Sequence, residues 1–402
     1  MTTEELNKEI SELWYSMETK QDLLKLLNLA NQGIYGDKAK PYSLRQLTFQ
    51  AYSKFNKSRY ASFKIPKKKK GEFRTIDAPN PTLKGMQRAL NYVLQVIYTP
   101  SQAAMGFTPG RSIVTGAQVH IGQKFVYNID LENFFPSIKS GRVFARMQSK
   151  PFSCSKEVAS LIADLCCYEN SFGKVLPQGA PSSPTLTNII CDRLDVKLSH
   201  LAKAYGLRYT RYADDITFSG MSNMFAENGN FCKSLRNIIE NEEHFKINTQ
   251  KTRLCHRGIR QEVTGITVND KPNVTQDYVK QIRSMLHNWE TKGYDEAQSI
   301  FIEIYNRTNT KHHNAKGAHH IENILAGKLL YLKMVKGEND GTYKKLYDRF
   351  VKLITKTDSP EPDKTKGIPT NNSKTTNNPK QNTESLIDDL NNSLDAIINS
   401  HG

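Results

Sequence analysis

The sequence predicts an α+β fold with helices at both ends and a mixed strand-and-helix centre. Apolar residues recur at helical spacing through the first 60 residues. Between residues 107 and 270, β-branched and aromatic runs alternate with helical patterns. Beyond Asp270 the pattern is helical again. The chain has 402 residues, long for one domain, and its 38% hydrophobic content supports real cores in two or three packed lobes.

In chain order, Leu6, Ile10, Leu13 and Trp14 share a helical face. Leu23 to Leu27 forms a second such segment, and Tyr42 to Phe55 continues the pattern. Ile65 to Ile76 reads as a β-hairpin with a basic tip at Lys67 to Lys70. Leu83 to Tyr98 is an amphipathic helix. Tyr278–Trp289, Tyr294–Tyr305 and Ala318–Val335 carry the later helical spacing. The stretch from Asp358 to Gln381 is almost wholly Pro, Asn, Thr, Ser and Lys, so it cannot offset its ordering entropy and is expected to be disordered. After it, Leu386, Leu390, Leu394 and Ile397 fall on one face of a short acidic helix. Such a tethered helix either docks on a basic surface or partner, or is marginal and has no partner. No internal repeat is visible.

The net charge is +16, and it becomes +18 once residues 356–402, with five Lys against seven Asp and Glu, are set aside. A body that basic attracts polyanions, nucleic acid first. The six Cys show no metal-ligand spacing, and Cys166-Cys167 read as buried core thiols in a reducing cytosol. The polar, acidic N-terminus is no signal peptide, and no apolar run reaches membrane-spanning length, so a cytoplasmic protein without a membrane partner is expected.

The most informative motif is Tyr212-Ala213-Asp214-Asp215. Tyr209-Thr210-Arg211-Tyr212 before the acids and Ile216-Thr217-Phe218-Ser219 after them read as two strands joined by a tight turn. Two carboxylates at a hairpin tip suit Mg²⁺, which prefers hard oxygen ligands, although most Asp-Asp pairs are solvated turns. A third acid, Asp130, ends the apolar strand Phe125-Val126-Tyr127-Asn128-Ile129. A strand-end acid beside a hairpin-tip pair is the constellation that two-metal phosphoryl transfer needs. Taken alone, Asp130 could be a strand-terminal turn acid. Between them lies Leu176-Pro177-Gln178-Gly179-Ala180-Pro181-Ser182-Ser183-Pro184, a loop of small residues before helical spacing from Leu186.

In order and spacing, Asp130 with Phe135, the Pro177-Gln178-Gly179 block and Tyr212-Ala213-Asp214-Asp215 resemble reverse transcriptases. Ala117-Gln118-Val119-His120 and Val263-Thr264-Gly265 narrow the resemblance to bacterial retron reverse transcriptases, over roughly residues 20 to 350. Where that family usually has Asn before Ala-x-x-His, this chain has Gly116, so no side-chain role is carried over to that position.

The resemblance implies a right-hand polymerase: N-terminal helices and fingers (1–106), a palm bearing the acids (107–270), a helical thumb (271–355), a disordered linker (356–382) and a C-terminal helix (383–402). It implies RNA-directed DNA synthesis at Asp130, Asp214 and Asp215 with two Mg²⁺ ions, or Mn²⁺ in their place. It implies that Arg74 and one tip lysine, Lys68 by spacing, grip the nucleotide triphosphate. Guanidinium forks suit phosphate. Phe135 becomes the barrier to a ribose 2′-OH; the neighbouring Phe134 is the better core residue if the two lie on a strand with opposite faces. Gln178 falls beside the nascent base pair and Lys251 near the leaving pyrophosphate. Ala117, His120, Val263, Thr264 and Gly265 fall in segments that read the cognate RNA. The bland alternatives are a hydrogen-bonded core histidine for His120, a strand end for Val263 to Gly265, and a surface lysine for Lys251. The histidines from His312 to His320 have no Cys or acid to complete a zinc site, so a polar, RNA-facing loop is the expectation.

The implied partners are a structured non-coding RNA serving as template and primer, its DNA product, dNTPs and an effector protein of the same system. Synthesis starting at a guanosine 2′-OH, the branched RNA–DNA product (msDNA) and a role in anti-phage defence come from the resemblance alone. The rivals are another bacterial reverse transcriptase, either a defence polymerase or an intron-encoded enzyme, and a catalytically silent RNA-binding scaffold. Against the scaffold stands the intact acid triad, costly to bury without metal.

Overall fold

A computed structural model describes residues 2–52, 56–67, 71–308 and 320–357. Lys68 to Lys70 of the basic tip, most of the histidine-rich stretch, the expected linker beyond Thr357 and the terminal helix lie outside the described residues. The chain forms two compact units. The first joins 1–108 to 123–259; the second joins 109–122 to the segment from Arg260 onward. Residues 109–122 and 260–270, placed with the palm in the sequence reading, group here with the C-terminal helices.

The first unit opens with α1 (Thr3–Ser16), α2 (Lys20–Tyr35) and α3 (Leu44–Ala51). Each begins in a capping box. Thr2, Thr19 and Ser43 accept the backbone N–H three residues on, while Glu5, Asp22 and Gln46 reach back. Such caps contribute about 1 kcal/mol each. The faces carrying Leu6, Ile10 and Trp14, and Leu23, Leu26 and Leu27, enter the core. Strands β1 (Tyr60–Pro66) and β2 (Phe73–Pro79) form the expected hairpin, and α4 (Pro81–Ile97) follows with Asn80 as its cap and Pro at its first turn. Helix α5 (Ile113–Val119) belongs to the second unit.

The chain then runs through β3 (Phe125–Asp130), α6 (Phe134–Ser137), α7 (Ser140–Gln148), α8 (Lys156–Cys166), the small hairpin β4 (Tyr168–Asn170) and β5 (Gly173–Val175), and the long helix α9 (Ser183–Ala204). Next come β6 (Arg208–Tyr212), β7 (Asp215–Gly220), α10 (Asn230–Arg236) with a π-helical turn at Asn237–Glu242, and β8 (Arg253–His256). The sheet order is β6-β7-β3-β8, every neighbouring pair antiparallel. Ile129, Ile216, Phe218 and Tyr209 belong to the core. The two-residue period of a strand therefore puts Asp130 and Asp215 on the opposite face. Cys166 and Cys167 are fully buried.

In the second unit, α5 packs against a short hairpin of β9 (Glu262–Val263) and β10 (Ile266–Thr267). The helices α11 (Gln276–Lys292), α12 (Tyr294–Thr308), α13 (Ile321–Lys336) and α14 (Gly341–Thr357) follow. Ile282, Leu286, Trp289, Leu325, Leu329 and Phe350 are buried, with Trp289 edge-on to Phe350 and Tyr294. No helix among the described residues is long and apolar enough to cross a membrane.

Candidate active site

The three acids meet because two strands are paired in one register. Asp130, at the end of β3, lies opposite Asp215, the first residue of β7. Asp214 occupies the turn between β6 and β7 with Ala213, whose φ of 54° is left-handed. That conformation disfavours any residue with a Cβ, so the turn is held by its surroundings. The Leu131 N–H donates to the Asp214 carbonyl at 3.2 Å. Gly106 lies against the other side; a Cβ there would stand 3.1 Å from the Ala213 nitrogen.

Lys251 closes the cluster. Its ammonium donates to both oxygens of Asp130, at 2.8 and 2.9 Å. Asn248 holds the same acid twice, through Nδ2 to Oδ2 at 3.2 Å and through its N–H to the Asp130 carbonyl at 2.8 Å. Burial, then the charges of Asp214 and Asp130, push the Asp215 carboxyl up to about 6, against the pull of Lys251 and Arg253. Asp214 is also raised, by burial and by Asp130, while Lys251 and Arg74 oppose the shift. Burial would lower the Lys251 ammonium, but its bond to Asp130 and the charges of all three acids leave it raised. This is a crowd of negative charge, only partly neutralised, at a strand end.

The β1–β2 hairpin and the Pro177-Gln178-Gly179 loop are joined backbone to backbone. The Asp77 N–H of β2 donates to the Gln178 carbonyl at 2.8 Å. Gly179 has φ 130°, and a Cβ on it would come within 2.9 Å of the Asp77 carbonyl oxygen. Only glycine allows that approach. Arg74 is an exposed residue of the same strand, facing Ile65 across the hairpin. Phe135 differs from the sequence expectation in its setting. It sits in the short helix α6, entered through left-handed Asn133, and not on a strand. Phe134 is buried against Phe245, while Phe135 is half-buried and edge-on to Phe134 at 5.5 Å.

A sequence profile described as reverse transcriptase (RNA-dependent DNA polymerase) matches residues 65–301. The retron Mx65 reverse transcriptase of Myxococcus xanthus is 36% identical over 69% of this chain and 62% of its own length. The retron Ec86 reverse transcriptase of Escherichia coli is 36% identical over 57% of this chain and 70% of its own. The chain belongs to the retron reverse transcriptase family. It therefore has the α+β right-hand polymerase fold, although it spans less than two thirds of the Mx65 relative. A solved telomerase from Candida albicans aligns over 79% of this chain and 68% of its own at 11% identity, with a TM-score of 0.40, too loose to bear on the fold.

Reverse transcriptases use divalent metal ions. Among the described residues no group of three or more His, Cys, Asp or Glu side chains is arranged to hold a metal ion. In the triad, the Lys251 ammonium lies on Asp130, and a metal would have to displace it. The donor set nevertheless fits a hard cation. Three carboxylates are available, and two are held above their usual range by burial and mutual repulsion, which a cation would relieve.

The segments expected to read RNA are brought together in the second unit. Ala117 and His120, on and just after α5, are fully buried, as is Val263 of β9. Thr264 and Gly265 make the two-residue turn between β9 and β10, with φ values of 47° and 85°. Thr264 is half-buried and its hydroxyl finds no hydrogen-bond partner among the described residues, while Gly265 is exposed.

Sequence reasoning missed Asn248 and Arg211. Arg211 is fully buried on β6, its fork on both oxygens of Asp195, at 2.7 and 2.7 Å. The signal was present: an arginine inside an otherwise aromatic and β-branched strand requires a buried partner.

Proposed function

We propose that this protein is an RNA-directed DNA polymerase of retron type, copying a cognate structured non-coding RNA through a two-metal reaction at Asp130, Asp214 and Asp215. The observation that carries this reading is the alignment of the strand-end acid with the hairpin-tip pair, with Lys251 against them, in a chain of this family. Bound at the three acids, Mg²⁺ or Mn²⁺ would activate the attacking hydroxyl and neutralise the leaving pyrophosphate. The protein's own residues supply position and charge. Arg74, on strand β2, grips the triphosphate, and Lys68 is assigned to assist it on family grounds. Gln178 lies by the nascent base pair, where Gly179 keeps the backbone close to β2. Phe135 excludes the 2′-OH of a ribonucleotide. Lys251, kept protonated by the acids around it, offers its charge and proton to the pyrophosphate once released from Asp130.

Recognition of the cognate RNA is assigned to the β9–β10 turn. Ala117, His120 and Val263 hold α5 against that hairpin, and Thr264 and Gly265 present it. Folded RNA is read by shape and 2′-OH contacts, which the exposed Gly265 backbone can make. Priming from a guanosine 2′-OH, a branched msDNA product and anti-phage defence with an effector protein complete the proposal on family grounds.

The test is extension of an annealed primer on an RNA template with purified full-length protein, dNTPs and Mg²⁺. Template-dependent DNA synthesis that stops on chelation is expected. A purified, folded protein that adds no deoxynucleotide with either Mg²⁺ or Mn²⁺ would contradict the proposal.

A further inference from the structure

We propose that Arg211 is a positioning residue: anchored by Asp195, its guanidinium grips the Ala213 carbonyl and so fixes the peptide that carries Asp214. This rests on the reading of Asp214 and Asp215 as the working acids. Arg211 and Asp195 are both fully buried, and among the described residues theirs is the ion pair with no exposure on either side. All three guanidinium nitrogens are engaged. Nε and Nη2 donate to the two Asp195 oxygens at 2.7 Å, Nη2 also to Asn188 Oδ1 at 3.2 Å, and Nη1 to the Ala213 carbonyl at 3.2 Å.

The anchor is itself held. Asp195 accepts from the Tyr209 hydroxyl at 2.7 Å, and Asn188 Nδ2 donates to the Gly106 carbonyl at 2.9 Å. Gly106 is the residue pressed against Ala213. One network, rooted on α9, therefore reaches the acid-bearing turn from two sides. A buried ion pair is a poor source of stability, since apolar residues of similar volume often serve as well or better. What an apolar replacement cannot supply is a donor to the Ala213 carbonyl. That residue is in a left-handed conformation it would leave if released, and small displacements of reacting groups are catalytically expensive.

The test uses the full-length protein. Arg211→Met, Asp195→Leu and Tyr209→Phe together remove the charges and the hydroxyl that would lose its partner. Thermal melting, kcat and the dNTP KM are measured against wild type, with Asp214→Asn alongside. A positioning role predicts a melting temperature near wild type, an unchanged KM and a kcat lowered about 10²-fold. Wild-type kcat in the folded triple variant would overturn the inference. If the triple variant fails to fold, Arg211→Lys, which keeps the charge but loses the fork, takes its place. It is expected to lose kcat about tenfold with KM unchanged, and an unchanged kcat there overturns the inference equally. Should Asp214→Asn itself remain active, the assignment of the acids falls; should it be inactive while the triple variant works normally, only the positioning role falls.

Discussion

Two hairpin turns in this molecule share a backbone problem and solve it differently. Both the β6–β7 and the β9–β10 turns place a residue with a Cβ in the left-handed region, Ala213 at φ 54° and Thr264 at φ 47°. The first is held on every side, by the Arg211 fork, the Leu131 N–H and Gly106. The second has a buried threonine hydroxyl with no partner among the described residues and a glycine with open space around it. Under the proposed function the first turn needs its carboxylates fixed within fractions of an ångström, whereas the second meets its folded ligand through exposed Gly265.

The sharpest way to break the comparison is to remove charge from the pinned turn. Asp214→Asn or Asp215→Asn should lower primer extension about 10³-fold or more, since several kcal/mol of charge stabilisation are lost. The melting temperature should stay at or above wild type, because repulsion among the acids is relieved. Single-turnover incorporation and calorimetry check both halves.

A smaller effect is expected beside the acids. Phe135→Ala should raise the ratio of ribonucleotide to deoxynucleotide incorporation by about 10- to 100-fold, the scale of a steric contact in a pocket. Competition between labelled dNTP and NTP reads it directly, and an unchanged ratio would make another residue the gate.

Gly106→Ala tests the clamp from its far side. The added Cβ would meet the Ala213 nitrogen at 3.1 Å and the Tyr212 ring at 3.2 Å, so the turn must give by a few tenths of an ångström. A kcat lowered about tenfold, with the dNTP KM unchanged, is the expected result in steady-state assays.

The pinned turn was the more legible of the two. Its acids and strand flanks lie in local sequence, while the register that sets Asp130 opposite Asp215 is a property of the paired strands. The clamp was not legible, because Asp195 and Asn188 lie on a helix 16 and 23 residues away and nothing local marks them as Arg211's partners. Phe134 and Phe135 were read on a strand; left-handed Asn133 ends β-like geometry before them, a conformation that composition does not announce. His120 shows the same limit. Its place in a motif is visible in the sequence, but its full burial depends on how α5 packs against β9 and β10. Helix α14 was not singled out in the sequence, although Tyr343, Leu346 and Phe350 have helical spacing and are all buried.

The measurement that tests the division of labour most directly compares two substrates at one fixed salt concentration. Extension on the cognate folded RNA and on a generic annealed primer–template is measured for wild type, Asp214→Asn and a Thr264→Ala/Gly265→Ala double variant. The account predicts that Asp214→Asn loses both activities. The double variant should keep generic extension and lose about 10-fold or more on the cognate RNA, the scale of one lost recognition contact. If the double variant loses both activities together, the β9–β10 turn is a structural part of the polymerase, and the separation of chemistry from RNA recognition is contradicted.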